Sequence, residues 1–266
     1  MVRLWRSDWA SRTGIESLSL VPFGFVQIGP RDCIPCEDHQ GATGTFYGGI
    51  RWSQTAFLYN VPNTAMPNTF MAVSADLAEG YSPVLPIAAG CVHYGNKQDV
   101  GARLAVGVRK YVYNESSLVA AGPMLVSIKP VSAAGLELTF DSALEVRNAS
   151  GFEVSTNGAD YTAAAIASHT AFAVTLAAPT STGATATIVS LRYILHDTPC
   201  INKTCAIYGT ESGLPSPPLV ANLPGHAGAD PVGWNLTAQH EHGTDAALPP
   251  PGGGGSRLVR PKALRG

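Results

Sequence analysis

Residues 50–80 read IRWSQTAFLYNVPNTAMPNTFMAVSADLAEG, and residues 91–104 read CVHYGNKQDVGARL. These two stretches decide the fold class. The run TFMAVSA (69–75) is short and apolar and reads as a buried strand. Over 95–112, Val100, Leu104, Val108 and Val112 recur along one face. That spacing predicts a helix, with Asn96 as its N-cap. A strand thus ends near Asp76, a loop follows, and a helix opens just past His93. An imidazole at such a junction can act as a general base beside a nucleophile. A single histidine after a loop is, however, more often a surface or core residue.

Working outward, LSLVPFGFVQIGP (18–30) predicts a second buried strand, bounded by Pro22 and Pro30. Gln27 falls near its carboxyl end, the edge where open α/β sheets take their ligands; the plainer reading is a polar residue closing a strand. Residues 49–59 carry Ile50, Trp52, Ala56, Phe57 and Tyr59 at helical spacing. In residues 2–13, Leu4/Trp5 and Trp9 lie one turn apart, giving an apolar face, with Gly14 as C-cap. Strand, helix, strand and helix over 1–112 mean parallel α/β. Two strands do not complete a doubly wound sheet, so 1–112 reads as part of one.

From residue 113 the pattern changes. MLVSIKPV, GLELTFDSA, LEVRNAS, FEVSTN, AFAVTLAAP, ATIVSLRYIL and LVANL are short, often alternating runs split by turn residues. They predict an antiparallel β-sandwich over 113–222. The alanines of YTAAAIA (161–167) leave a helix open there. Residues 223–266, with PPPGGGGS, have linker composition and read as a disordered tail.

The 266 residues carry a net charge of −2, with 14% charged and 45% hydrophobic side chains. No concentrated basic face argues for nucleic acid, and no apolar run is long enough to span a bilayer. Arg3, Arg6, Asp8 and Arg12 interrupt any signal-peptide core. Cys200 and Cys205 flank INKT, a spacing that a tight disulfide loop closes. Cys33 and Cys36 read as a local disulfide or two free thiols, since no second pair stands at zinc spacing; Cys91 is left over. Sequons at Asn114, Asn148, Asn202 and Asn235 are either glycosylation sites or plain turn residues. Beside a disulfide candidate they favour a secretory or lysosomal setting. The missing leader conflicts with that setting unless the chain is the C-terminal part of something longer. His39 beside Glu37 and Asp38, the HEH of His240 and His242, and His169 and His196 read as solvated residues. No metal site or cofactor is expected.

VPNTAMPNTFMAVSADL (61–77) followed by VHYGNKQDVGARL (92–104) resembles the sialate O-acetylesterase family of SGNH/GDSL-type serine esterases. The resemblance continues in LRYILHDTPC (191–200), CAIY (205–208) and SGLPSPPLV (212–220), and reaches back to Trp5-Arg6 and PFGFVQI (22–28). It implies an SGNH-type α/β domain, of which 1–112 would be the C-terminal part. It also implies hydrolysis of acetyl esters on sialic acids or related sugars through an acyl-enzyme. By the resemblance His93 takes the catalytic histidine position, with Lys97-Gln98 and Arg103 following in register. Relatives carry an acid just before the histidine; here Gly90, Cys91 and Val92 stand there. Asp76 is the remaining candidate to orient the ring, or else a helix cap or loop residue. The family's Gly-Gln-Ser-Asn nucleophile motif and its Gln-Gly-Glu-x-Asn oxyanion segment occur nowhere in these residues. The expectation is therefore an esterase fragment whose nucleophile lies in a missing N-terminal half. The other reading is a non-catalytic carbohydrate-binding or interaction protein of the same descent.

Overall fold

The structure is a computed structural model, described here for residues 1–31, 45–78, 94–132, 135–177 and 187–223. It is mixed α/β, with few helices and mostly antiparallel sheets. The first part holds α1 (Val2–Thr13), a 3-10 turn (Glu16–Leu20), β1 (Phe23–Val26), α2 (Phe46–Gln54), β2 (Thr69–Ala72) and α3 (Lys97–Tyr111). β1 and β2 pair in parallel, Phe23 opposite Thr69 and Val26 opposite Ala72.

Ten short strands follow: β3 (Leu125–Ser132), β4 (Gly135–Phe140), β5 (Leu144–Val146), β6 (Phe152–Ser155), β7 (Thr162–Ala164), β8 (Ile166–His169), β9 (Ala173–Leu176), β10 (Ser190–Tyr193), β11 (Ile207–Gly209) and β12 (Leu219–Asn222). They form two four-stranded sheets, ordered β3-β4-β9-β8 and β12-β10-β6-β7, and a β11-β5 pair. Every pairing among them is antiparallel. In β4 and β9 the residues Leu136, Leu138, Phe140, Val174 and Leu176 alternate with half-exposed ones, so one face of that sheet is buried. They share one core cluster with Phe152, Val154, Leu191 and Tyr193 of the other sheet. Tyr59, Met71 and Val73 from the parallel part join the same cluster.

Several expectations meet corrections. The helix expected over 49–59 is α2, shifted towards the N-terminus. Ala56, Phe57 and Tyr59 take left-handed φ of 56°, 63° and 74°, which stops the helix. Its start is set from afar, since Asp197 Oδ1 accepts from the Tyr47 amide at 2.7 Å. Gly48 lets the helix lie on the chain there, because a Cβ would come within 1.7 Å of the Leu195 carbonyl oxygen. The apolar face expected on α1 is not the buried one: Leu4, Trp5 and Trp9 are exposed and Arg6 is buried. The Arg6 guanidinium donates to the carbonyls of Val21, Pro67 and Asn68, and so holds β1 to β2. On α3 the most buried positions are Arg103 and Gly107, while Val112 is exposed. Gly107 leaves room for the Phe70 ring, which an added Cβ would meet at 2.5 Å. Residues 161–167 hold β7 and the start of β8 rather than a helix, and a strand at 207–209 follows the cysteine loop. The Gly14 and Asn96 caps form as expected, Gly14 with φ +69° and Asn96 accepting from the Asp99 amide. The expected tail lies outside the described residues.

Arg51 on α2 is fully buried. It donates to the carbonyls of Ile28, Gly29, His196 and Asp197 at 2.8–3.0 Å. Burial lowers its pKa to about 10, and Asp197 opposes the shift. Arg51→Met takes a donor from four carbonyls, of which only that of Asp197 keeps another, the Arg31 amide. It should cost about 3–4 kcal/mol, read as the shift of a denaturation midpoint. Arg51→Lys, with fewer and less spread donors, should recover only part of that.

Glu153 and Arg192 stand opposite each other on β6 and β10, 2.7 and 2.9 Å apart at their two contacts, with His196 Nε2 3.2 Å from Glu153. Burial works against the carboxylate, but His196 and Arg192 outweigh it and hold the pKa at about 2 against an ordinary 4.5. A depressed carboxyl pKa stabilises the fold above the unfolded-state value, and the gain is lost as pH falls through the folded one. Glu153→Gln should therefore cost about 1–2 kcal/mol at neutral pH. Denaturant melts should show the difference closing as pH drops from 4.5 towards 2.

Candidate functional site

The carboxyl ends of β1 and β2 gather the polar residues of the first part. Gln27, just past β1, is buried, and its backbone carbonyl accepts from Ser74 Oγ at 2.7 Å. Its side-chain Nε2 donates to the Arg51 carbonyl at 3.3 Å. Its Oε1 has no hydrogen-bond partner among the described residues. A buried acceptor without a donor is uncommon in native proteins and marks the spot for attention. Tyr94, the residue after His93, is buried against the backbone of Gly29, with Lys97 Nζ 3.6 Å over its ring. Gln27, Ser74, Asp76 and Tyr94 thus belong to one end of the sheet. His93 itself lies outside the described residues.

Asp76 is fully buried and takes three donors. Arg103 Nη1 and Nη2 grip its two oxygens at 2.5 and 2.8 Å, and Tyr208 Oη donates at 2.9 Å. Arg103 also donates to the Val73 carbonyl at 2.7 Å. A bidentate guanidinium–carboxylate pair is both strong and geometrically exacting. Burial alone would weaken the Arg103 cation, yet the Asp76 bonds leave its pKa raised. Burial and the neighbouring Asp76 anion both push the Tyr208 phenol up, so it stays a donor. The cluster joins α3, the end of β2 and β11. In the sequence Arg103 stands out only as part of the family register. Its place on a helix face among valines and leucines was the signal for a buried cation. Tyr208 gave no such signal, because its partner is distant in sequence.

Cys200 and Cys205 form a disulfide, with Cα atoms 5.1 Å apart. The closed loop lies along residues 76–78. Asn202 N donates to the Ala78 carbonyl at 2.7 Å, and Lys203 N to the Asp76 carbonyl at 2.9 Å. Lys203 Nζ reaches Asp99 Oδ2, in the first turn of α3, at 2.6 Å.

Asn114, Asn148 and Asn202 are exposed, and Asn235 lies outside the described residues. So do Cys33, Cys36, Cys91, His39, His240 and His242. His169 is exposed on β8, and His196 sits beside Glu153. Among the described residues, no three His, Cys, Asp or Glu side chains converge as metal ligands. No described helix is long and apolar enough to cross a membrane.

Asp76→Asn would set an amide against a buried guanidinium and should cost about 3–5 kcal/mol. Asp76→Asn combined with Arg103→Met should cost less than the sum of the single changes by more than about 1 kcal/mol. Additive urea melts would show that the two groups do not act as a pair.

Residues 127–223 match the profile of the sialate O-acetylesterase C-terminal domain. The chain is 32% identical to the mouse (Mus musculus) sialate O-acetylesterase over 228 residues, covering 84% of this chain and 40% of the relative. It is 33% identical to the human (Homo sapiens) sialate O-acetylesterase over 236 residues, covering 85% and 42%. These alignments take in far more of the chain than the profile match alone. The chain spans well under half the length of the curated relatives it matches. Among solved structures, a carbohydrate acetylesterase from Xanthomonas citri superposes with a TM-score of 0.59 at 24% identity, covering 82% of this chain and 43% of that one. That likeness speaks for the fold. By sequence, this chain is related to the sialate O-acetylesterase family.

Proposed function

We propose that the chain is the C-terminal part of a carbohydrate O-acetylesterase. In this reading 1–112 is the end of an SGNH-type α/β domain, 113–222 a β-sandwich, and 223–266 a tail. The observation that carries it is identity of 32–33% to sialate O-acetylesterases running across 84–85% of the chain. The relation therefore extends past the C-terminal profile into the parallel part.

The enzyme would remove acetyl groups from sialic acids or related sugars. A serine supplied by the upstream part of the esterase attacks the ester carbonyl. His93 takes the serine proton and returns it to the leaving sugar hydroxyl. The titration range of an imidazole suits that exchange. Asp76, at the end of the strand before that segment, is the candidate acid to orient the ring. Its carboxylate already takes bonds from Arg103 and Tyr208, so a bond to His93 would be a fourth. Gln27 stands at the same end of the sheet and is the residue assigned to the substrate side, its Oε1 being without a partner among the described residues. The setting would be secretory or lysosomal. The disulfide and the exposure of Asn114, Asn148 and Asn202 as glycan acceptors support this.

The test is acetate release from an O-acetylated sialoside. The purified chain should release none. Co-expressed with the upstream part of the mouse relative, it should release acetate, and His93→Ala should abolish the release. Inert assemblies would favour a non-catalytic carbohydrate-binding role. Activity of the chain alone, lost in His93→Ala, would place the nucleophile within these residues.

A further inference from the structure

We propose that the Cys200–Cys205 disulfide and glycosylation of Asn202 compete for one short loop, an inference that rests on the secretory setting read above. The sequon Asn202-Lys203-Thr204 lies wholly between the two cysteines. If the bond closes first, the sequon is shut. Asn114 and Asn148 lie outside that loop and are exposed, so they stay open acceptors.

A sequon is read through two groups, the asparagine amide and the hydroxyl two residues on. Both have to reach the transferase together. In the closed loop the hydroxyl is turned back: Thr204 Oγ1 donates to the Ile201 carbonyl at 2.6 Å, and Thr204 N donates to the same oxygen at 2.9 Å. Asn202 and Lys203 take left-handed φ of 47° and 61°, so the sequon is wound into a turn instead of extended. The loop is then pinned from outside. Asn202 N and Lys203 N donate to the carbonyls of Ala78 and Asp76, and Lys203 Nζ reaches Asp99 Oδ2 at 2.6 Å. Asn148 is arranged differently. Ser150 Oγ donates to Asn148 Oδ1 at 2.9 Å, so amide and hydroxyl stand side by side on exposed residues.

The two reactions are independent in their chemistry. Disulfide closure takes two electrons and two protons from the thiols and passes them, by exchange, to a protein disulfide. Glycosylation joins Asn202 Nδ2 to the anomeric carbon of an oligosaccharide carried on a lipid pyrophosphate. The bond from that carbon to the pyrophosphate oxygen breaks, and the amide gives up one proton. Asn202 is exposed, so a glycan added first leaves the cysteines room to pair. The order of the two steps therefore decides the product. Cys205 follows Cys200 by five positions. At a synthesis rate of about 5–20 residues per second, both thiols emerge within about a second of each other. Disulfides form in seconds at the fast end, and so short a loop costs little entropy to close. Closure thus falls in the same interval in which the emerging sequon meets the transferase.

The full chain is expressed behind a secretory leader in mammalian cells, and each sequon's occupancy is read by glycopeptide mass spectrometry on the total translocated chain. Asn202 should be about half occupied, and Cys200→Ser with Cys205→Ser should bring it near full, about a twofold rise. Asn114 and Asn148 should not change. Lys203→Gln cuts the tie to Asp99 but keeps the disulfide, so Asn202 should stay at its wild-type occupancy. Equal occupancy of Asn202 with and without the cysteines would overturn the proposal. A matching rise at Asn148 would also do so, because it reports slower folding of the whole chain. So would a rise in Lys203→Gln as large as in the cysteine variant, which puts the block on docking and not on the disulfide. The leader is supplied, so these outcomes do not depend on the setting. Cys200 and Cys205 as thiols, with Asn148 bare, in the protein from its own cells would remove the secretory reading and leave the measured competition standing.

Discussion

The structure depends on one buried cation. Arg51 sits at zero exposure between the parallel part and the antiparallel sheets, holding carbonyls of residues 28 and 29 on one side and 196 and 197 on the other. A guanidinium suits this place because its donors spread in a fixed plane and its charge survives desolvation. Asp197 then caps α2 through Tyr47, so helix, strand end and cysteine loop are fixed in one joint. The Asp76–Arg103 pair repeats the arrangement just past the end of β2, with Tyr208 as the link to the antiparallel part.

Much of the architecture could be read from local signals. Alternating runs gave the antiparallel strands, Asn96 and Gly14 marked helix ends, and INKT between two cysteines marked the disulfide loop. What escaped has one physical cause. The start of α2 is set by the Asp197 carboxylate, and the buried face of α1 and the inner face of α3 by arginines whose partners are backbone carbonyls or a distant carboxylate. A charged residue on an amphipathic pattern is normally assigned to solvent, and hydrophobic periodicity has no term for a cation that finds several acceptors. The end of α2 escaped for a different reason, because three non-glycine residues adopt left-handed φ there.

For the candidate site, sequence reading named two residues that fall at one end of the sheet. Gln27 and Asp76 do lie at the carboxyl ends of β1 and β2. It could not say that Asp76 would already be engaged by two other side chains, because Tyr208 comes from the antiparallel part. The contribution of that part to this end of the sheet is direct: Lys203, Asn202 and Tyr208 all reach residues 76–99.

These joints also order events in time. The bond that caps α2 spans 150 residues, the Arg51 bond to His196 spans 145, and the Tyr208–Asp76 bond spans 132. During synthesis the first part leaves the ribosome long before its acceptors and donors exist. Arg51 lacks two of its four acceptors until residues 196 and 197 emerge, and Asp76 one of its three side-chain donors until Tyr208 does. Contacts of such long sequence separation slow folding. They also leave β1 and β2 waiting as an unfinished sheet, the kind of intermediate that chaperones hold.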